Sequence, residues 1–87
     1  MNMKLFFTKK FIRQYRKLPQ QIQETTDKQL GLLLSNPEHP SLNVKKMQGL
    51  KEIWEARITS SYRCTFQKDD ESYYLRNIGT HDILKKP

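Results

Sequence analysis

Hydrophobic positions in the first third of the chain predict one strand and two helices. Residues 3–7 are short, apolar and aromatic, which is typical of a β-strand, and Thr8 is a good residue to cap the start of a helix. Apolar residues then return at helical spacing, at Phe11, Ile12, Tyr15 and Leu18. Pro19 suits the first turn of a second helix, which Asn36-Pro37 ends. The pattern therefore predicts a strand followed by a helical hairpin.

The hydrophobic period changes to two after the proline-bounded stretch 36–41, which we expect to be an ordered surface loop. Alternating positions predict four more strands, at 44–47, 53–58, 62–66 and 73–78, with tight connections at 59–61 and 68–71. The order β-α-α-β-β-β-β favours an α+β fold. We expect an antiparallel sheet that carries the helical hairpin on one face and leaves the other face uncovered.

Length and charge narrow the class of protein. The 87 residues have room for one domain, spanning 1–87, and one modest core. Sixteen Lys and Arg against nine acidic residues give a net charge of +7, which predicts a polyanionic partner: nucleic acid, an anionic membrane surface or an acidic protein. Neither a signal peptide nor an apolar span of about 20 residues is recognisable, so we expect a soluble cytoplasmic protein.

The metal-ligating residue types are scarce. Cys64 is the single cysteine, and the two histidines, His39 and His81, lie far apart in the sequence. The usual four-ligand zinc pattern cannot be assembled from neighbours in the sequence. We therefore expect no metal and no other cofactor, and any catalysis should be metal-independent.

Strand alternation gathers charged side chains on one face of the predicted sheet. Glu55 and Arg57 alternate with Trp54, and Arg63 alternates with the apolar residues of the next strand. If the apolar sets pack on the helices, Glu55, Arg57 and Arg63 emerge together on the uncovered face. Lys45 and Lys46 are adjacent, so one of them must point to the same side. His81 follows at the end of the last strand, after Gly79.

Such a cluster suits RNA cleavage by the ribose 2′-hydroxyl. This reaction needs a base for the hydroxyl, cations for the five-coordinate phosphate and an acid for the leaving 5′-oxygen. Arginine fits the cationic role because its fork contacts two phosphate oxygens and keeps its charge. Histidine is the side chain whose ordinary titration lies near neutral pH. The structural alternative is a solvated basic face, with Glu55 in an ordinary cross-strand pair with Arg57 or Arg63.

Other charged residues have weaker assignments. The basic run of the first helix is typical of a solvated face, or it binds RNA backbone through charge alone. We assign an RNA-binding role to four cations: Lys10, Arg13, Lys46 and Lys51. His39 is a second candidate site residue, in the loop between prolines. Asp82 either orients His81 or offsets local charge.

Short motifs follow one another along nearly the whole chain. They are Lys17-Leu18-Pro19, Asn36-Pro37 with His39-Pro40-Ser41-Leu42, Gly49 before Trp54-Glu55-Ala56-Arg57, Tyr62-Arg63 and Gly79-Thr80-His81. In this order and spacing the chain resembles the RelE/ParE superfamily of bacterial toxins, particularly the RelE- and YafQ-like ribosome-dependent mRNA endonucleases. The Tyr-Arg pair and the Gly-Thr-His ending are the most specific pieces. The resemblance implies a RelE-like fold.

The resemblance also implies an activity and roles for individual residues. In that family a few cations and an acid/base group cleave mRNA in the ribosomal A site without a metal. Arg63 matches the arginine of the Tyr-Arg pair, which is implicated in stabilising the phosphate. His81 matches the histidine of the YafQ-like ending, where RelE-like members have arginine. Arg57 matches a position that holds lysine, arginine or histidine in relatives, and Lys45 lies near a YafQ-like histidine.

Two departures from the family pattern leave the general base open. Lys45 and Arg57 replace the additional histidines of the YafQ-like set, and no tyrosine follows His81 as it does in RelE-like members. Glu55 stays a candidate from strand parity.

The implied partners are the ribosome, mRNA and a cognate antitoxin with an acidic segment. The same superfamily contains ParE-like proteins that act on DNA gyrase, which is one alternative, and a non-catalytic binding module is another. His81 beside an arginine cluster favours the nuclease.

Overall fold

The computed structural model describes residues 3–49 and 52–87, and over these residues the chain forms two α-helices and five β-strands. The elements are β1 (Lys4–Phe7), α1 (Lys9–Arg16), α2 (Gln20–Ser35), β2 (Lys45–Lys46), β3 (Trp54–Arg57), β4 (Tyr62–Lys68) and β5 (Ser72–Thr80), with 3₁₀ helices at Pro40–Leu42 and His81–Lys85. The predicted α+β class and the order β-α-α-β-β-β-β are confirmed.

The five strands form one sheet in the order β1-β5-β4-β3-β2. Strands β2 to β5 pair with their neighbours in antiparallel fashion, whereas β1 runs parallel to β5, with Leu5 opposite Tyr73. The predicted antiparallel sheet is therefore confirmed except at this edge, where β1 and β5 form a parallel pair. The reason is the helical hairpin: it carries the chain from β1 to the far edge of the sheet, and the later hairpins bring β5 back beside β1.

Local hydrogen bonds explain several element boundaries. Thr8 caps α1 as predicted, since its Oγ1 accepts from the Phe11 amide at 3.0 Å and donates to the Arg76 carbonyl at 3.1 Å. Pro19 is the residue before α2 rather than part of its first turn. Strands β4 and β5 run longer than predicted, and at the tight turn that joins them Asp69 Oδ1 accepts from the amides of Glu71 and Ser72 at 2.9 Å. The same backbone hydrogen bond from Glu71 is the main cause that lowers the pKa of Asp69.

The ordered surface loop predicted at 36–41 is confirmed only as far as His39, because the end of the stretch is helical. Its second proline opens the 3₁₀ helix Pro40–Leu42, and His39 Nδ1 accepts from the Ser41 amide at 3.1 Å at the start of that helix. His39 thus has a local structural role as a cap, and Leu42 is buried in the core.

The core lies between the helices and one face of the sheet. Phe11 and Leu33 come from the helices, and Phe66, Leu75 and Ile78 come from the two central strands; all five are almost wholly buried. This packing fixes which side of the sheet faces away from the helices.

An irregularity in β5 decides which of its residues face the core. Thr65 pairs with Asn77 but the next residue, Phe66, pairs with Leu75, so Arg76 is an extra residue in a β-bulge. Because the bulge shifts the alternation by one, Leu75 and Ile78 both reach the core. Asn77 is thereby placed on the opposite face, beside Thr65.

Candidate functional site

The sheet face that points away from the helices carries two cross-strand rows of side chains, and we call it the polar face. The first row is Lys45, Glu55, Thr65 and Asn77, and the second is Arg57, Arg63 and Gly79. Residues directly opposite each other on paired strands point to the same side of a sheet. The predicted parity of Glu55, Arg57 and Arg63 is therefore found in the structure.

The two arginines of the second row differ in how they are held. Arg57 is exposed, and it lies directly opposite Arg63. Arg63 is half-buried, and its Nη1 donates to the carbonyl oxygens of Thr59 and, at 3.0 Å, Tyr62. These bonds use two of the five N–H donors of the guanidinium and orient the group against the β3–β4 turn. Backbone carbonyl groups therefore hold Arg63 in place, and the second row can present its positive charge to a phosphate.

Glu55 forms its ion pair with Lys45 rather than with an arginine. Lys45 Nζ lies 3.6 Å from Glu55 Oε1, with 60% of the lysine side chain exposed but only 10% of the glutamate side chain. Lys46 lies opposite Trp54 and approaches Glu52 at 3.9 Å. Of the two adjacent lysines, Lys45 is therefore the one on the polar face. The suggested cross-strand pairing of Glu55 with Arg57 or Arg63 is wrong, because the neighbouring lysine on β2 takes the carboxylate.

His81 opens the 3₁₀ helix that follows β5 and is exposed. Gly79, two residues earlier, is the partner of Arg63, so the backbone brings His81 to the β5 end of the second row. Asp82 forms an exposed ion pair with Lys85 at 3.9 Å. This contact supports the local-charge interpretation of Asp82 over a role in orienting His81.

The prediction that the polar face is uncovered is wrong over β4 and β5. After the 3₁₀ helix, the 86–87 segment lies across these strands, and a main-chain oxygen of Pro87 accepts from the side chains of three residues. These donors are Thr65 Oγ1 at 3.0 Å, Asn77 Nδ2 at 2.7 Å and Arg76 Nε at 3.1 Å. The cover leaves Thr65 fully buried and Asn77 only 4% exposed. The sequence analysis did not select Thr65, Arg76 or Asn77 as site residues. The signal that could have identified them is the presence of polar side chains within the strands β4 and β5.

The residues predicted to bind RNA do not form one group. Lys10 lines a cavity of about 430 Å³ with Arg76, Asn77 and Pro87, next to the polar face. Arg13 is exposed on α1 and does not line that cavity. Lys46 forms an ion pair with Glu52 at 3.9 Å. Lys51 lies outside the described residues.

Cys64 is not a candidate nucleophile. It lies opposite Ala56 and is almost wholly buried in the core. Burial raises the pKa of its thiol to about 12, and a reactive cysteine needs the opposite shift.

No helix within 3–49 and 52–87 is long and apolar enough to cross a membrane. Across the same residues, no three His, Cys, Asp or Glu side chains are grouped so that they could hold a metal ion.

Sequence comparison gives no relatives: no protein-family model and no curated protein matches the chain. Solved structures do match. E. coli YafQ superposes with a TM-score of 0.78 at 14% identity, covering 94% of this chain and 97% of that chain. A mutant of E. coli toxin RelE in the free state gives 0.75 at 23% identity, with coverages of 98% and 90%.

Complexes are also among the matching structures. A chain of the intact E. coli RelBE toxin-antitoxin complex gives a TM-score of 0.72 at 25% identity, covering 90% of this chain and 95% of that chain. The chain therefore has the fold of the RelE and YafQ toxins over nearly its whole length, and the resemblance read from the sequence motifs is confirmed.

Proposed function

We propose that the protein is the toxin of a type II toxin–antitoxin system and cleaves mRNA on the ribosome. The observation that carries this proposal is the pairing of Arg57 with Arg63 on the polar face, with Gly79 completing the row and His81 following it. Like charges directly opposite each other destabilise a sheet, and a bound anion such as a phosphate would offset this repulsion. The RelE and YafQ fold supports the toxin assignment independently.

The proposed reaction is a transfer within the RNA strand. The 2′-oxygen bonds to phosphorus as its proton leaves, the bond from phosphorus to the 5′-oxygen breaks, and that oxygen takes up a proton. Arg57 and Arg63 stabilise the charge that develops on the phosphoryl oxygens, with Lys45 as a further cation at the edge. His81 carries out one of the two proton transfers, as general acid or base. Glu55, the carboxylate of the first row, is the candidate for the other.

The proposed partners follow from charge. A domain of net charge +7 with a cationic sheet face attracts the ribosome and mRNA, and an acidic segment of a cognate antitoxin would bind the same face and exclude RNA from it. Several matching structures are toxin-antitoxin complexes. Co-expression with the neighbouring reading frame should restore growth and yield a stable complex; if no small partner co-purifies, this part of the proposal is wrong.

One observation favours a non-catalytic alternative. The 86–87 segment covers part of the polar face, and Glu55 is largely buried beside Lys45. A binding module, or an inhibitor of DNA gyrase with the same fold, does not need RNA to reach this face. A partly covered face is therefore compatible with either function.

Mapping of mRNA 5′ ends after induction separates these functions. The native chain should produce site-specific cuts in translated mRNA, and His81→Ala should abolish them. Lys85→Ala is the matched control, since Lys85 is exposed on the same 3₁₀ helix. DNA damage and filamentation without mRNA cuts would instead identify gyrase as the target and overturn the proposal.

A further inference from the structure

Two aromatic side chains lie exposed on the polar face, near one edge of the sheet. Phe6 on β1 pairs with Tyr74 on β5, and Tyr74 lies opposite Gln67 on β4. Because the next residues, Phe66 and Leu75, point into the core, these three point to the other side of the sheet. Phe6 is 49% exposed and Tyr74 is 39% exposed. Phe6 and Tyr74, which we call the aromatic pair, therefore extend the polar face with an apolar surface.

The two rings of the aromatic pair are stacked and held in place. Their centroids lie 5.5 Å apart, and their planes are inclined by 13°. The Tyr74 hydroxyl donates to Asp69 Oδ2 at 2.9 Å, while Asp69 Oδ1 accepts from two backbone amides of the same turn, so the turn fixes the direction of the Tyr74 ring. In the sheet formed by 3–49 and 52–87, β1 is an edge strand, and no strand of this sheet covers the outer side of Phe6. A further flat ring can join the stack there.

Cations lie on one side of the aromatic pair. Arg76, two residues after Tyr74 on β5, donates from Nη1 to Gln67 Oε1 at 2.8 Å and lines the neighbouring cavity together with Lys10. The acidic turn at 69–71 lies on the other side of Tyr74. Aromatic rings beside cations are typical of surfaces that bind single-stranded nucleic acid, because bases stack on the rings and phosphates bind to the cations. Charge favours phosphates on the Arg76 side of the pair only.

We propose that the aromatic pair is a stacking site for one base of single-stranded RNA, and that Arg76 and Lys10 bind the phosphate beside that base. The inference rests on the proposed function, because it takes RNA as the ligand. Gln67 lies four residues from Arg63 on β4, about 13 Å along a strand. The stacked base therefore belongs to a nucleotide a few positions from the cleaved bond. The site contributes affinity for the RNA strand and takes no part in the chemical step.

A second copy of the chain fits the aromatic pair less well than RNA does. An exposed edge strand can pair with a strand of another molecule. However, β1 has only four residues and begins with Lys4, and short edge strands with lysine oppose such pairing. Two copies with a net charge of +7 also repel each other, whereas RNA is attracted.

Binding of an RNA that cannot be cleaved tests the stacking site. The probe is a short single-stranded RNA with 2′-O-methyl groups throughout, and its affinity is measured by fluorescence anisotropy at low salt. Phe6→Ala and Tyr74→Ala should each weaken binding about five- to 100-fold, the range expected for the loss of one stacked base. Phe6→Trp should keep the affinity because it keeps a flat ring, whereas Phe6→Leu should lose it. Leu34→Ala is the matched control, since Leu34 is an apolar residue of α2 that is 38% exposed.

Two further measurements separate stacking from charge. The affinity for RNA falls with salt according to the number of phosphates that the protein contacts. Phe6→Ala should leave this salt dependence unchanged, whereas Lys10→Ala should reduce its slope by about one. In a series of RNAs that each lack one base, the native chain should bind one member more weakly than the others, and Phe6→Ala should not distinguish that member.

Several outcomes would overturn the stacking site. They are equal affinities of the native chain, Phe6→Ala and Tyr74→Ala, a native chain that binds no RNA, and an equal response of Phe6→Ala and the native chain to each missing base. Thermal unfolding checks that every variant is folded; if the alanine variants do not fold, the comparison of Phe6→Leu with Phe6→Trp decides. A dimer that Phe6→Ala dissociates in sedimentation, with no change in RNA affinity, would assign the pair to a contact between copies.

The outcomes also separate this inference from the proposed function. If the native chain cuts mRNA but the variants bind RNA as the native chain does, the nuclease stands and the stacking site is wrong. If the variants and the missing-base series respond as expected in a chain that cuts no mRNA, the stacking site stands and the nuclease is wrong.

Discussion

Gly79 and Ile83 meet where β5 turns into the 3₁₀ helix: a Cβ on Gly79 would lie 2.8 Å from Ile83 Cγ2. A glycine is required here because there is no room for a side chain. Its backbone is not in the left-handed region, so the conformation itself does not demand glycine. Without a side chain at this position the 3₁₀ helix can pack back against β4 and β5. The contact therefore sets where His81, the first residue of that helix, lies relative to Arg63.

We expect Gly79→Ala to displace this helix. Overpacking should lower the free energy of unfolding by about 1–3 kcal/mol, and mRNA cleavage should fall with it. Gly31→Ala is the control, since a Cβ there meets nothing within 4 Å and alanine in a helix is stabilising by about 0.5–1 kcal/mol. The double variant Gly79→Ala with Ile83→Ala should recover part of both losses. Thermal unfolding and single-turnover cleavage measure the effects; an active, equally stable Gly79→Ala contradicts the steric argument.

If His81 transfers a proton in the reaction, His81→Ala should lower the single-turnover rate on programmed ribosomes by about 10² to 10⁴, the range typical of general acid–base groups. Ribosome binding should change little, because His81 is exposed and its replacement leaves the cations of the polar face in place. A variant that cuts at the native rate would remove His81 from the mechanism and direct attention to Lys45 and Glu55.

For Arg63 we expect a loss of charge stabilisation. Arg63→Ala should reduce the cleavage rate by roughly 10² to 10³, and Arg63→Lys should recover only part of it, since a point charge cannot reproduce a two-oxygen contact. Arg13→Ala, an exposed arginine on α1, should change only the affinity and its salt dependence, and only modestly. Equal rates for Arg63→Lys and the native chain would mean that the geometry of the guanidinium is not used.

The pair Lys45 and Glu55 should matter more for activity than for stability. Glu55→Gln leaves the mostly exposed Lys45 in water, so it should change the free energy of unfolding by about 1 kcal/mol or less, whereas Lys45→Gln leaves the largely buried Glu55 carboxylate unpaired and should cost about 1–3 kcal/mol. Glu55→Gln should nevertheless lower the cleavage rate by about 10² or more if Glu55 transfers a proton. Lys46→Gln serves as the control on the neighbouring lysine. If Glu55→Gln cleaves at the native rate, Glu55 transfers no proton and its ion pair with Lys45 has a structural role.

Cys64 should make stability fall at high pH. Burial raises the pKa of its thiol from 9.0 to about 12, so the folded state keeps a proton that the unfolded state loses. The stabilisation is complete below the unfolded pKa and is lost as pH rises toward the folded one. Urea unfolding between pH 8 and pH 10 should show a steeper fall for the native chain than for Cys64→Ala, and a thiol reagent should react with Cys64 only on unfolding. Rapid labelling of the folded chain would contradict the buried thiol.

Local signals in the sequence determined the elements and part of the site. The Thr8 cap, the proline stops and the change of hydrophobic period are properties of neighbouring residues, and they were enough for the β-α-α-β-β-β-β order. Alternation along β3 and β4 likewise placed Glu55, Arg57 and Arg63 on one face, because both strands are regular over those positions. The side on which a residue lies is set by its own strand when that strand has no bulge.

The tertiary structure decided what depends on distant partners. Parallel pairing of β1 with β5 follows from the path of the whole chain, and the choice of Lys45 as the partner of Glu55 follows from the β2–β3 register. The bulge at Arg76 reverses the alternation within β5 and puts Asn77 on the polar face, which no regular period-two pattern foretells. The cover of that face by the 86–87 segment arises the same way: its three hydrogen-bond donors lie 10 to 22 residues from Pro87, and only folding brings them to one oxygen.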